Sequence, residues 1–196
     1  MRMWADVYKA FVVWVTAMKK PRFLINVHVL LMVGIVVYAL LSYSSLPEKY
    51  AAHFTASGRV DRWADKGGVE YWILPAAALV AGMLFLISLK YPRHYNYPRK
   101  DRVNRWPEWR RIPVYEKLVE MMMVVAILVD ILLLSIQIAI VNSSAGEMNF
   151  SLIGVLGPAA ALPAVFIIYT VKISRIIDSV EQQIKISGAL SESPNA

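Results

Sequence analysis

The 196-residue sequence contains no cysteine. Disulfides, thiolate metal sites and thiol nucleophiles are therefore excluded. Histidine occurs only three times, and acidic residues are outnumbered, 14 against 21 Lys and Arg, for a net charge of +7. There is no HExxH, no GxSxG, no Walker loop and no convincing Ser–His pairing, so the chain is not expected to be an enzyme or to hold a cofactor. No internal repeat is evident. Charge is also nearly missing from four long stretches, and that absence shapes the rest of the reading.

Hydrophobic residues make up 58% of the chain and charged residues 18%, with the apolar residues gathered in blocks. A hydrocarbon core of ~30 Å takes about 20 helical residues to cross. Residues 23–43, 70–89, 118–141 and 152–173 are long enough. The segment Trp4–Met18 holds Asp6 and Lys9, and its apolar positions Trp4, Val7, Phe11, Trp14, Val15 and Met18 have helical spacing. Residues 1–22 are therefore read as an N-terminal interfacial helix rather than a fifth span or a cleaved signal. Both terminal segments, with Lys172 at the end of the last span, and the loop 90–117 carry seventeen Lys and Arg, against four in 44–69 and none in 142–151. By the positive-inside rule both termini are cytoplasmic, in a multi-pass protein of the cell membrane. Ile173, Ile176, Ile177, Val180 and Ile184 continue a helical stripe into residues 174–196, which end in a Ser-rich stretch read as a disordered tail. The expected fold is an all-α integral membrane protein: a four-transmembrane-helix bundle with an N-terminal interfacial amphipathic helix and a small outer cap loop.

The loop 44–69 is polar and full of turn formers. Pro47 and Glu48 suit the start of a short helix, Ser57-Gly58 marks a turn, and Trp63 and Tyr50 suit the headgroup zone. Leu46-Pro47, His53-Phe54, Ser57-Gly58, Asp61, Trp63 and Lys66 resemble the pattern of a prokaryotic membrane family, the domain of unknown function 1648. That domain also forms the N-terminal part of SdpI-type immunity proteins. The resemblance covers the first span, this loop and the start of the second span. The run His94-Tyr95-Asn96-Tyr97-Pro98 looks like the cytoplasmic loop of shorter members, whereas residues 118–196 do not match the later spans of SdpI-type proteins. The resemblance implies Leu46, Pro47, His53, Phe54, Gly58, Asp61 and Lys66 as motif residues, and a sensing, immunity or signalling role rather than an enzymatic one.

His53, Asp61 and Asp65 offer one nitrogen and two carboxylates, but without recognisable metal-site spacing. The simpler expectation is that His53 bonds loop backbone and that Asp61 pairs with Arg59, Arg62 or Lys66. No metal is expected. His53 and Asp61 remain candidates for meeting a ligand, peptide or protein partner at the cap.

Asp130 lies within span three, about 20 Å beyond Lys117 along a helix rising 1.5 Å per residue, which would place it close to the bilayer midplane. A charge there costs at least ~2.5–3.5 kcal/mol, so Asp130 is expected to face the bundle interior. Met123 and Gln137, seven residues to either side, extend the same face. Carbonyls freed by Pro75 and Pro163, those of Tyr71 and Ala159, are its nominated partners. A Glu120–His28 or Glu120–Lys172 contact is expected nearer the cytoplasmic end. Asp130 supports the alternative function, a small proton- or ion-coupled transporter or channel. In 90–117 nine basic residues interleave with aromatics. Beside a membrane that composition is read as anchoring to anionic headgroups rather than binding nucleic acid, and the prolines there argue against a long helix. A homo-oligomer is compatible with all of this.

Overall fold

The computed structural model describes residues 21–55, 57–145 and 152–191. The expected interfacial helix Trp4–Met18, residues 146–151 and residues 192–196 lie outside them. Helix α1 (Arg22–Tyr43) is apolar over most of its surface, as suits a span, with Pro21 at its N-cap where a missing N–H is harmless. Strands β1 (Lys49–Phe54) and β2 (Val60–Asp65) form an antiparallel hairpin. A 3₁₀ turn, Glu70–Trp72, leads into α2 (Ile73–Ser88). After a 3₁₀ turn at Pro92–His94 and the short α3 (Lys100–Val103) come the two longest helices, α4 (Glu108–Ser144) and α5 (Leu152–Ser191).

Four described helical segments are long and apolar enough to cross a membrane. Helix α4 is the centre of the bundle: α1, α2, α5 and β1 all pack on it. At 37 and 40 residues, α4 and α5 run about 55 and 60 Å, nearly twice a hydrocarbon core. Both therefore project past one end of the bundle, called here the base; the hairpin covers the other end, the cap.

The cap differs from the expected loop. Pro47-Glu48 begins no helix; it leads straight into β1. Tyr50 and Ala51 are buried against the helices, and the Ala51 N–H donates to Ser144 Oγ at 2.9 Å. A backbone committed to that contact pairs as a strand. Gly58 makes the return turn with φ 79°, a conformation that L side chains disfavour. Register slips around Ala52, where a bulge lets His53 and Phe54 re-aim.

The base also differs. Helix α4 starts ten residues before the expected Leu118, running through Pro113. Near its start a proline removes only one internal bond, and Trp109, whose carbonyl loses that bond, is exposed to water. The basic aromatic loop is folded onto the base of the bundle. Tyr97, Val103 and Trp106 are buried with Tyr115, Leu118 and Ile177. Tyr97 and Tyr115 both donate to Asn104 Oδ1, at 3.2 and 2.9 Å. Burial, with Tyr115 alongside, pushes the Tyr97 phenol well above its ordinary range. Arg99, left-handed at φ 55°, bonds Asp178 at 2.7 Å and Glu181 at 3.2 Å, and Arg102 also reaches Glu181. Tyr91 and Trp109 remain exposed. The stripe Ile173, Ile177 and Val180 closes this base core, and α5 stays helical through Ser191, into the stretch expected to be disordered.

Helix α1 packs tightly against α2 at Gly82. A Cβ there would overlap the Met32 sulfur and press on His28 Cε1 at 3.3 Å. Gly82→Ala is expected to lower stability by about 1–3 kcal/mol, the usual cost of overpacking. Gly82→Ala combined with Met32→Ala should recover part of that loss; thermal unfolding of the purified protein reads both.

Candidate functional site

Asp130 faces the bundle interior and is 2% exposed, on one buried α4 face with Met123 and Gln137. Its partner is neither nominated carbonyl. His28 of α1 places Nδ1 2.5 Å from Asp130 Oδ2, and its Nε2 lies 3.2 Å from the Gly82 carbonyl of α2. Pro75 falls in the first turn of α2, at the cap end, far from Asp130. Three helices thus meet on one imidazole, and Phe85 packs edge-on against the ring.

The depth of Asp130 follows from this contact. His28 lies six residues beyond Arg22, about 9 Å along α1, and fifteen before Tyr43, about 22 Å. The pair sits in the base-side half of the spanning segment rather than at its middle. Glu120, ten residues before Asp130 on α4, falls near the base-side edge. It bonds Lys117 at 2.5 Å and the Tyr169 hydroxyl at 2.9 Å, in place of the expected His28 or Lys172, and Lys172 stands over the Tyr169 ring.

Hydrogen-bond direction counts the protons. The Gly82 carbonyl only accepts, so His28 Nε2 carries hydrogen. The short Nδ1–Oδ2 contact then needs one proton between its atoms: imidazolium with carboxylate, or imidazole with carboxylic acid. Both arrangements carry no net charge. That neutrality permits burial at 0% and 2% exposure, where an unpaired charge would be driven out.

Two turns further along α4, halfway from Asp130 to Ser144, the seam becomes unsatisfied. Gln137 is fully buried, and neither amide atom has a partner in bonding geometry, although the Tyr71 hydroxyl is close enough to interact. The Tyr71 hydroxyl itself donates to the Ala39 carbonyl at 2.9 Å.

At the cap the motif residues separate by role. Lys66 is a latch: Nζ donates to the Leu46 and Ser44 carbonyls at 2.7 and 3.1 Å, past the C-terminal end of α1 where a cation is favoured. Its own carbonyl accepts from Tyr43 Oη at 3.0 Å, and its N–H donates to Glu48. Leu46 is buried in the cap core beside Tyr50 and Tyr71, Pro47 is exposed, and Gly58 makes the turn. His53 and Asp61 bond each other at 2.6 Å, exposed on the hairpin. That replaces the expected pairing of His53 with backbone and of Asp61 with Arg59, Arg62 or Lys66. Arg62 instead pairs with Glu70 at 3.0 Å. Among the described residues no three His, Asp or Glu side chains are grouped to hold a metal.

Beneath β1 lies a groove of about 530 Å³ that the sequence did not reveal. Ile136 and Ile140 of α4 floor it, Ile73 and Leu74 of α2 form one wall, and Val155 and Leu156 of α5 form the other. His53, Arg62 and Glu70 edge it. Tyr50 also lines it, 1% exposed, its hydroxyl without a hydrogen-bond partner. The Tyr71 amide lies near enough to favour the phenolate, but burial first and the Glu70 carboxylate second push the phenol above its ordinary range. Tyr50 therefore stays a neutral donor with no acceptor for its proton.

Four spanning-length helices and a hairpin cap define a multi-pass helical membrane-type protein. Residues 30–79 match the family model described as "Domain of unknown function (DUF1648)", from within α1 through the hairpin into α2, and this supports the resemblance carried by the motif. An uncharacterized protein of Archaeoglobus fulgidus is 36% identical over 78 residues, 40% of this chain. The matched part spans 38% of that relative's length. No solved structure matches. His28, Gly82 and Asp130 fall outside residues 30–79, so the clamp is not part of the family match.

Removing one member of the clamp strands the other in a dry site. Asp130→Ala and His28→Ala are each expected to cost about 3–5 kcal/mol, whereas His28→Leu with Asp130→Leu should cost less than either. Unfolding of the four proteins in one detergent or bilayer reads this; additive losses would show that the two residues act separately.

Proposed function

We propose that this is a non-enzymatic membrane protein of sensing or immunity type, whose groove beneath the cap hairpin receives an amphipathic ligand. The groove carries the reading. It joins apolar walls from three spanning helices to a polar edge, within the usual size of ligand sites, about 300–1,000 Å³. The hairpin that roofs it is the segment bearing the family motif, and Lys66 holds that roof on α1. By the charge bias of the loops, the groove faces outward and the base lies in the cytoplasm. The resemblance to the SdpI-associated domain favours immunity among roles of this type. His53 with Asp61 and Arg62 with Glu70 are paired at the groove's edge, an arrangement suited to binding rather than to catalysis.

A deletion strain complemented with the gene and challenged with membrane-active peptides tests this reading. The native chain should raise survival clearly above that of the deletion strain. Ile140→Trp, which fills the groove, and His53→Ala should remove the gain at unchanged membrane abundance. Equal survival with and without the native chain contradicts it.

The clamp and Gln137 favour a second reading, a small proton- or ion-coupled transporter. An ionisable pair inside a span, followed by an unsatisfied carboxamide on the same helix face, is the pattern of a polar pathway. Full-length protein in liposomes should then pass protons, with Asp130→Asn abolishing the flux. Flux equal to empty liposomes excludes this reading.

A further inference from the structure

The depth and chemistry of the groove point to a particular occupant. Ile73, Leu74, Ile140 and Leu156 lie within about two turns of the cap ends of their helices. That level is the boundary between acyl chains and headgroups. Helices α2 and α5 each pack on α4, and their groove walls include Ile73 and Leu156, 58% and 56% exposed. Apolar surface thus continues from the groove onto the outer faces of α2 and α5. Its polar edge brings no unpaired charge, because Arg62 bonds Glu70 and His53 bonds Asp61. Two buried atoms at the groove lack a hydrogen-bond partner, the Tyr50 hydroxyl and Glu70 Oε2. The Glu70 carboxylate is held by Arg62 at 3.0 Å, which leaves the hydroxyl as the donor that an occupant can satisfy. An occupant must be apolar over most of its length and present one neutral acceptor at the acyl–headgroup boundary.

We propose that the groove holds the carbonyl end of an ester-linked acyl chain from the adjoining leaflet, with Tyr50 Oη donating to the ester carbonyl. This rests on the reading of the groove as the ligand site and names the ligand as a bilayer lipid. Because the edge charges are already paired, the groove discriminates the linkage and the chain, and little between zwitterionic and anionic headgroups.

Full-length protein in phosphatidylcholine vesicles carrying a photoactivatable phosphatidylcholine, its diazirine near the acyl carbonyl, tests the proposal by peptide mapping. Crosslinks are expected at Ile136, Ile140 and Leu74 several-fold above those at Leu30 and Leu84, exposed positions on the outer faces of α1 and α2. Tyr50→Phe, or an ether-linked probe with the native chain, should cut groove labelling about fivefold, the effect of one hydrogen bond of ~1 kcal/mol. Ile140→Trp should abolish groove labelling and leave Leu30 and Leu84 unchanged, and it serves if Tyr50→Phe folds poorly. Groove labelling no greater than at Leu30 and Leu84, or insensitive to both Tyr50→Phe and the ether linkage, overturns the proposal. If that result accompanies peptide protection that depends on the groove, the ligand reading stands and only the lipid assignment falls; if protection is also absent, both fall.

Discussion

A single imidazole holds the three central helices together. His28 takes its place on α1, bonds Asp130 on α4 through one nitrogen and the Gly82 carbonyl of α2 through the other. In hydrocarbon, apolar side chains gain little from one another that lipid does not also offer, so small residues and polar contacts decide how helices associate. Here both operate at one level. Gly82 has no side chain and lets α1 come close, and its carbonyl then fixes the orientation of the His28 ring. That orientation leaves Nδ1 facing Asp130 with one proton between them. The pair is neutral as a whole, and its neutrality is what makes a carboxyl group tolerable at that depth.

The cap depends on the same frame in a different way. With α1, α2 and α4 placed, the end of α1 presents the carbonyls that Lys66 takes, and the end of α4 presents Ser144 to β1. The hairpin is thereby tied at two points over the gap between α2 and α5. The groove is the space left beneath it. Structure-holding residues and edge residues of the motif separate cleanly: Leu46, Gly58 and Lys66 build the roof, while His53 and Asp61 stand exposed on it. The family match, residues 30–79, runs over the roof and parts of its two flanking helices; the floor of the groove on α4 and its wall on α5 lie outside that match, as does the clamp.

Much of this was legible in the residues. The four spans follow from run length, and Asp130 stands out because a carboxyl group inside an apolar run has few tolerable surroundings. Gly58 at a turn and the amphipathic continuation of α5 are equally direct. Partners were not legible. His28 and Asp130 are 102 residues apart, and local spacing says nothing about which depths two helices share. Pairing His28 with Glu120 took the two span ends as level, whereas Asp130 is level with His28 and Glu120 lies ten residues, about 15 Å, nearer the base. Pro47-Glu48 is a sound helix-start signal that lost to a tertiary contact, the Ala51 amide on Ser144. The loop 90–117 has a composition suited to anionic lipid, yet Tyr97 and Trp106 are buried because α5 projects far enough to bring Asp178 and Glu181 to Arg99 and Arg102. No local pattern encodes the groove, which is made of residues from β1, β2 and three helices.

The proton arrangement at His28 is the most direct point of attack on this account. Nitrogen-15 spectroscopy of the full-length protein, with histidine labelled and His28 assigned through His28→Asn, observes it in a bilayer. The account predicts a His28 Nε2 that carries hydrogen and a Nδ1 that shares a proton with Asp130, with the Nδ1 signal moving in Asp130→Asn while those of His53 and His94 stay in place. A His28 with hydrogen on Nδ1 and a bare Nε2, or a Nδ1 signal indifferent to Asp130→Asn, would contradict it.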